Sequence, residues 1–210
     1  RIIGATRGST LSGAPIQNIK DYGFDLGGPI IKDKLWFYGT YGKQDIHVCR
    51  FNGTPDETVL ASYNFKINWQ ASSNTMVNAF YFIGDKQKYG RSPGTGLIEE
   101  AGVTWDQANA FTDGGLPGGL WKAEINHTFS PNFYMSAKAA YYDTGFGLTA
   151  KGDATKNYTY DYEAGIARGT FYTYLAVRPQ KTLNVDGNYF APGMGGNHEL
   201  KFGFGYRDNT

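Results

Sequence analysis

Much is missing from this chain of 210 residues. No stretch approaches 18 consecutive apolar residues and mean hydropathy is negative, which excludes membrane-spanning helices. Cys49 is the single cysteine, so no internal disulfide framework can form. Its polar neighbourhood predicts a loop position and no chemical role. The three histidines, His47, His127 and His198, show no ligand spacing, so no metal site is expected. A net charge of +1 leaves no basic footprint for nucleic acid. Asp45 and His47 form an Asp-x-His pair, expected in a loop, but no nucleophile stands at a telling spacing. Neither catalysis nor a cofactor is expected. Gly145 to Ala150 nominally fits a dinucleotide-type glycine pattern, but no helix signal follows, so a flexible loop is expected. The first residues, Arg1-Ile2-Ile3-Gly4, show neither a methionine start nor the apolar run and cleavage pattern of an export signal.

What is abundant is aromatic and small. There are 16 tyrosines, 14 phenylalanines and 29 glycines. The aromatics fall in strict alternation with polar residues. Tyr63, Phe65, Ile67 and Trp69 are separated by Asn64, Lys66 and Asn68. Trp121, Ala123, Ile125 and Phe129 interleave with Lys122, Glu124, Asn126 and Thr128. Leu200, Phe202, Phe204 and Tyr206 do the same with Lys201, Gly203, Gly205 and Arg207. A period of two places successive side chains on opposite faces of a strand. Segments of ~10 residues with this pattern and many aromatics are the signature of an outer-membrane β-barrel.

About eight strands are predicted by this alternation: residues 22–26, 35–42, 60–70, 75–83, 120–129, 133–142, 182–190 and 199–207. Residues 171–177 fit either a hairpin within a loop or an extension of the seventh strand. The links alternate in length. Residues 29–33, 71–74, 130–132 and 191–197 have turn composition, whereas 43–59, 84–119 and 143–181 are long. One-way insertion of a barrel produces this, with tight turns at one end and large loops at the other. Within the second long link, Trp105 to Phe111 is expected to form a short helical turn capped by Thr104.

The run Asp21-Tyr22-Gly23-Phe24-Asp25-Leu26-Gly27-Gly28-Pro29-Ile30-Ile31-Lys32-Asp33-Lys34-Leu35-Trp36-Phe37-Tyr38-Gly39 resembles a hairpin found early in the barrel of Oar-like TonB-dependent outer-membrane receptors, those of the carboxypeptidase-regulatory-domain type. The segment His198 to Arg207 resembles a later strand of the same barrels. The resemblance implies a barrel of 22 strands, a plug domain inside it, and coupling to TonB across the periplasm. Neither a plug nor a TonB box is seen here, and the expectation is an internal piece of a longer chain.

The expected fold is thus all-β, an antiparallel up-and-down transmembrane barrel segment, with residues 1–210 forming one partial barrel domain. Ala61, Tyr63, Phe65, Ile67 and Trp69 are expected to face lipid, and Asn64, Lys66, Asn68 and Gln70 the lumen. The first and last strands are expected not to pair. The expected function is energy-coupled uptake of a bulky nutrient in the outer membrane of a Gram-negative-type bacterium. Its partners would be membrane lipid, the TonB complex and the nutrient, with no nucleic acid. Ligand contacts are expected from loop aromatics: Tyr89, Trp105, Phe111, Tyr158, Tyr160 and Tyr162. Two alternatives are a complete small barrel with a structural or adhesive role and a soluble all-β carbohydrate-binding domain.

Overall fold

A computed structural model describes residues 16–50, 55–93, 98–112, 116–193 and 195–209. Among these residues the structure is all-β, with one 3-10 turn and no α-helix. In chain order the strands are β1 (Ile16–Ile31), β2 (Leu35–Cys49), β3 (Pro55–Ser72), β4 (Thr75–Arg91), β5 (Ile98–Glu99), β6 (Trp105–Asn109) and β7 (Gly119–Ser130). They continue as β8 (Phe133–Asp143), β9 (Gly145–Ala150), β10 (Thr159–Asp161), β11 (Ile166–Arg168), β12 (Tyr174–Val177), β13 (Gln180–Ala191) and β14 (His198–Asn209).

The eight long strands form one antiparallel meander in the order β1-β2-β3-β4-β7-β8-β13-β14. They correspond to the eight expected strands. β1 and β14 are the two edges and do not pair with each other. The sheet is open. Pro29 lies within β1, a position that an edge strand tolerates because it has a ladder on one side only. The tight links sit at one end: Lys32 to Lys34, Ser73-Asn74 and Pro131-Asn132. Asp33 takes a positive φ of 60° in the first of them, a conformation that Asp tolerates better than most residues.

Several expectations need correction at the other end, here called the outer end. Residues 43–59 are mostly strand, since β2 runs to Cys49 and β3 starts at Pro55. Asp45, His47 and Cys49 therefore lie on β2, not in a loop. Beyond the apolar band Lys43, Gln44 and Asp45 are polar in succession, so the alternation breaks while the backbone ladder continues, and the apolar Ile46 and Val48 that follow fall on the opposite face. Gly145 to Ala150 is strand β9, not a flexible loop, and β14 opens at His198. Trp105 to Asn109 is strand β6, paired on both sides with β4 and β9; Thr104 follows the 3-10 turn Ala101–Val103 instead of capping a helix. A ladder on each side outweighs the weak local helical preference of five residues.

The strand extensions are continuations of the main sheet. Gln180 pairs with Tyr142 and Val177 with Gly145, which is one unbroken register across β8-β9 and β13-β12. The segment 171–177 is thus, from Tyr174 on, an extension of the seventh long strand. Between β6 and β7 the ladder loses residues. Gly119 faces Asp143 and Asn109 faces Phe146, so a step of ten residues on one side matches a step of three on the other, and the segment between β6 and β7 leaves the ladder.

The register also assigns the faces. Tyr63, Phe65, Ile67 and Trp69 share a face with Tyr41, Phe37, Tyr81, Trp121, Ile125, Val185, Phe204 and Tyr206. This apolar face is uncovered: Phe24 is 69% exposed and Phe204 62%. Among the described residues only Val103, Trp105, Leu148, Ala167 and Ala176 are buried apolar side chains, and all five lie at the outer end. The eight-stranded part has no core of its own.

An aromatic ring borders the apolar face along its outer margin. Tyr22 stands on β1, Tyr41 and Tyr63 are paired on β2 and β3, Tyr81, Trp121 and Tyr141 are paired across β4, β7 and β8, and Tyr206 stands on β14. This border slants. Straight across the ladder from Tyr206 the partners are Leu183, Ala139, Ala123, Ala79, Ile67, Phe37 and Gly28. Gly28 lies six residues past Tyr22. Six residues at ~3.4 Å over seven strand spacings of ~4.8 Å give a slant of about 30°. The opposite margin has rings too: His127 on Phe129 at 4.3 Å, Phe129 on Phe133 at 5.0 Å and Phe133 near Tyr189 at 6.3 Å.

Candidate functional site: the polar face and its outer cap

The second face of the sheet carries the polar residues, and three rows of it form a block. Asn64, Phe82 and Leu120 are level on β3, β4 and β7. Below them come Lys66, Phe80 and Lys122, then Asn68, Asn78 and Glu124. With Met76, the lower two rows and Leu120 line a groove of about 590 Å³. Glu124 is occupied: its carboxylate is 3.4 Å from the Lys122 ammonium and accepts from Asn126 Nδ2 at 3.1 Å. Tyr134 donates in turn to Asn126 Oδ1 at 2.6 Å. Lys66 has no ion-pair partner among the described residues.

At the outer end the polar face is covered. In steps of two from Tyr142, the residues Phe146, Leu148 and Ala150 stay on the polar side; Ala176 is level with Phe146, and Trp105 with Ala150. Leu148, Ala176 and Trp105 are buried, whereas Leu175 on the opposite side is exposed. The outer segments also form a cap, the three-stranded sheet β10-β11-β5 with β11 parallel to β5, and Phe171, which follows β11, lies on Trp105. Trp105, 6% exposed, stacks on Phe171 at 3.9 Å, and Tyr158 meets Phe171 edge-on at 5.9 Å. The cap is tied to the rim by charge. Glu99 of β5, its side chain 2% exposed, lies 3.6 Å from Arg50, which also meets Asp56 at 3.2 Å; Lys88 reaches Asp56 at 2.7 Å. Arg50 also donates to the carbonyl of Gly90.

The extruded residues between β6 and β7 are held by Asp143, which is fully buried. Thr112 N donates to both carboxylate oxygens at 3.0 Å, and Thr112 Oγ1 donates to Oδ2 at 2.8 Å. A carboxylate only accepts, so the Tyr141 hydroxyl must donate to Thr112 Oγ1, at 2.9 Å. Tyr81 donates to the Gly118 carbonyl at 2.9 Å and Trp121 Nε1 to the Pro117 carbonyl at 2.8 Å. The polar tips of Tyr81, Trp121 and Tyr141 therefore point toward the outer end, with their rings below them.

The chain matches no family model, no curated protein and no solved structure.

The six expected ligand-binding aromatics do not form one site. Trp105 and Tyr158 belong to the packing of the cap. Phe111 lies in the extruded segment, its ring beside Gly118. Tyr89 is on β4, its hydroxyl donating to Gln87 Oε1 at 2.6 Å. Tyr160 and Tyr162 contact each other edge-on at 4.7 Å, and Tyr162 is 88% exposed. His127 accepts or donates at Nδ1 with Thr75 Oγ1 at 2.8 Å, and His47 lies 3.3 Å from Glu57. Among the described residues no group of His, Cys, Asp and Glu is arranged to hold a metal ion. Phe80 and Phe82, on the polar face, escape sequence reasoning because Tyr81 and Ile83 beside them are apolar as well, and alternation then gives no sign.

Proposed function

We propose that this chain forms part of the wall of an outer-membrane β-barrel, with its apolar face in lipid and its polar face lining the lumen. The slanted aromatic border carries this reading. Barrel strands tilt by about 35–45° against the axis, so a membrane boundary must cross the strands obliquely. A slant of about 30° from the register fits that requirement. The distance from Tyr63 to Trp69 is about 20 Å of strand, comparable with the ~25 Å apolar band of such barrels. The tyrosine and tryptophan tips directed toward the outer end fit rings that sit at headgroup level.

The uncovered face weighs against a soluble carbohydrate-binding domain. Each large apolar side chain gains about 1.5–3 kcal/mol on leaving water, and a soluble sheet with so many of them would pack a second layer over that face. The open sheet with two unpaired edges favours a segment of a larger barrel over a complete small one, because unpaired backbone groups are costly in lipid. That the barrel belongs to a TonB-coupled receptor for a bulky nutrient rests on the resemblance of the β1-β2 hairpin. A polar face with a groove, capped at its outer end, suits uptake.

The test is separation of the membranes of a Gram-negative cell making the protein, followed by carbonate and urea extraction. The protein is expected to stay with the outer membrane. Recovery in the soluble fraction in folded form would refute the reading.

A further inference from the structure

Phe80, Phe82 and Leu120 stand on the polar face among the amides of Asn64, Asn68 and Asn78 and the ammonium groups of Lys66 and Lys122, with the rings of Trp36, Tyr38 and Tyr142 beyond them on the same face. A water-filled lumen gives these three no reason to be apolar. Phe80 is flanked directly on both sides by lysines, Lys66 on β3 and Lys122 on β7. Two strand spacings put those Cα atoms about 10 Å apart. The same row continues through Ala140 and Thr182 to Arg207, so it holds three cations and no carboxylate. The nearest acid, Glu124, is already engaged by Lys122 and Asn126. Asn68 and Asn78 add amide donors at the lower edge of the groove.

We propose that this groove binds a small organic anion with an apolar body, of the aromatic carboxylate or sulfonate class. The ring or chain of the ligand lies over Phe80, Leu120 and Met76, and its acidic group meets Lys66, which has no ion-pair partner among the described residues. Apolar walls with a few fixed polar groups are the usual make-up of a small-molecule site, and about 590 Å³ is within the usual size range. Lipid is not the occupant, because it belongs to the opposite face. The proposal rests on the polar face being the inner wall of a barrel.

The probe is 1-naphthoate, measured by equilibrium dialysis against the full protein in lipid nanodiscs. Saturable binding is expected. Lys66→Gln and Phe80→Ala should each weaken it by about tenfold or more, Lys66→Arg should hold it within about threefold, and Lys201→Gln, on the same face outside the groove, should leave it unchanged. The neutral analogue 1-naphthalenemethanol should bind about tenfold more weakly. Undiminished binding by Lys66→Gln, equal binding of the neutral analogue, equal loss in Lys66→Arg and Lys66→Gln, or no saturation in the unaltered protein would each overturn the site. Absence of binding by protein that fractionates with the outer membrane removes the site and leaves the barrel wall standing. Soluble protein removes both.

Discussion

Tyr22 and Tyr206, on the two edge strands, mark the same border of the apolar face yet stand six residues apart along the ladder. A flat sheet folded over a soluble core has no need for such an offset. A tilted wall crossing a membrane does, since the boundary is level while the strands are not.

The two faces should respond differently to charge. Phe65→Arg, on the apolar face, is expected to cost about 2–4 kcal/mol in lipid if its rung lies near the midplane, while Asn64→Arg, one residue away on the polar face, should be mild. Urea unfolding of the two variants in vesicles measures this, and equal costs would contradict the assignment of faces.

Asp143 should govern the extruded segment. Asp143→Ala leaves the Thr112 N–H and hydroxyl without their acceptor, at a cost of about 1–3 kcal/mol. Asp143→Asn retains one acceptor oxygen and should cost less. The loss is local, so limited proteolysis between β6 and β7 should speed up by roughly tenfold in the alanine variant, while the main transition is little changed. Unchanged cleavage would show that the segment is held by other contacts.

The central strands were legible in the amino-acid sequence because each has one wet and one oily face, as from Tyr63 to Gln70. Legibility ended where that contrast ended. At Lys43-Gln44-Asp45 both faces are polar, and the rest of β2 passed for loop. In β9 the glycines at 145 and 147 lack side chains to show a period, and its pairing with β6 joins residues about forty apart in the chain. The groove was hidden for the opposite reason, since β4 is aromatic on both faces. The ion network from Arg50 to Glu99 left no trace in sequence, because opposite charges at that separation are met in every chain. Trp105 was singled out for its ring, but whether a loop ring binds or packs depends on Phe171, far along the sequence.

The Asp153 turn should be acid-resistant. Thr155 N and Oγ1 both donate to Asp153 Oδ1, at 3.0 and 2.8 Å, and these bonds to the charged form hold its carboxyl below the ordinary carboxylate range. A depressed folded-state value means that the stabilisation is present above the ordinary value, near pH 3.9, and is lost as pH falls through the lower folded one. Amide exchange at Thr155 should therefore stay slow, apart from the intrinsic pH dependence, down to about pH 4 and rise only below it. Asp153→Ala should be fast throughout. A loss of protection already at pH 5 to 6 would contradict this.

The most direct test of the membrane wall is depth measurement by spin labels on two distant strands. Single cysteines, in a Cys49→Ser background, are placed at each position of 61–70 on β3 and 199–208 on β14, and collisions with oxygen and with a water-soluble nickel chelate are compared in vesicles. The account predicts alternation with a period of two on both strands, in phase with Phe65 and Ile67 and with Phe202 and Phe204. It also predicts that the deepest label on β14 lies about four residues from the rung level with the deepest label on β3. Alternation without that offset would contradict the tilted wall, and uniform access to the nickel chelate on both strands would contradict the membrane altogether.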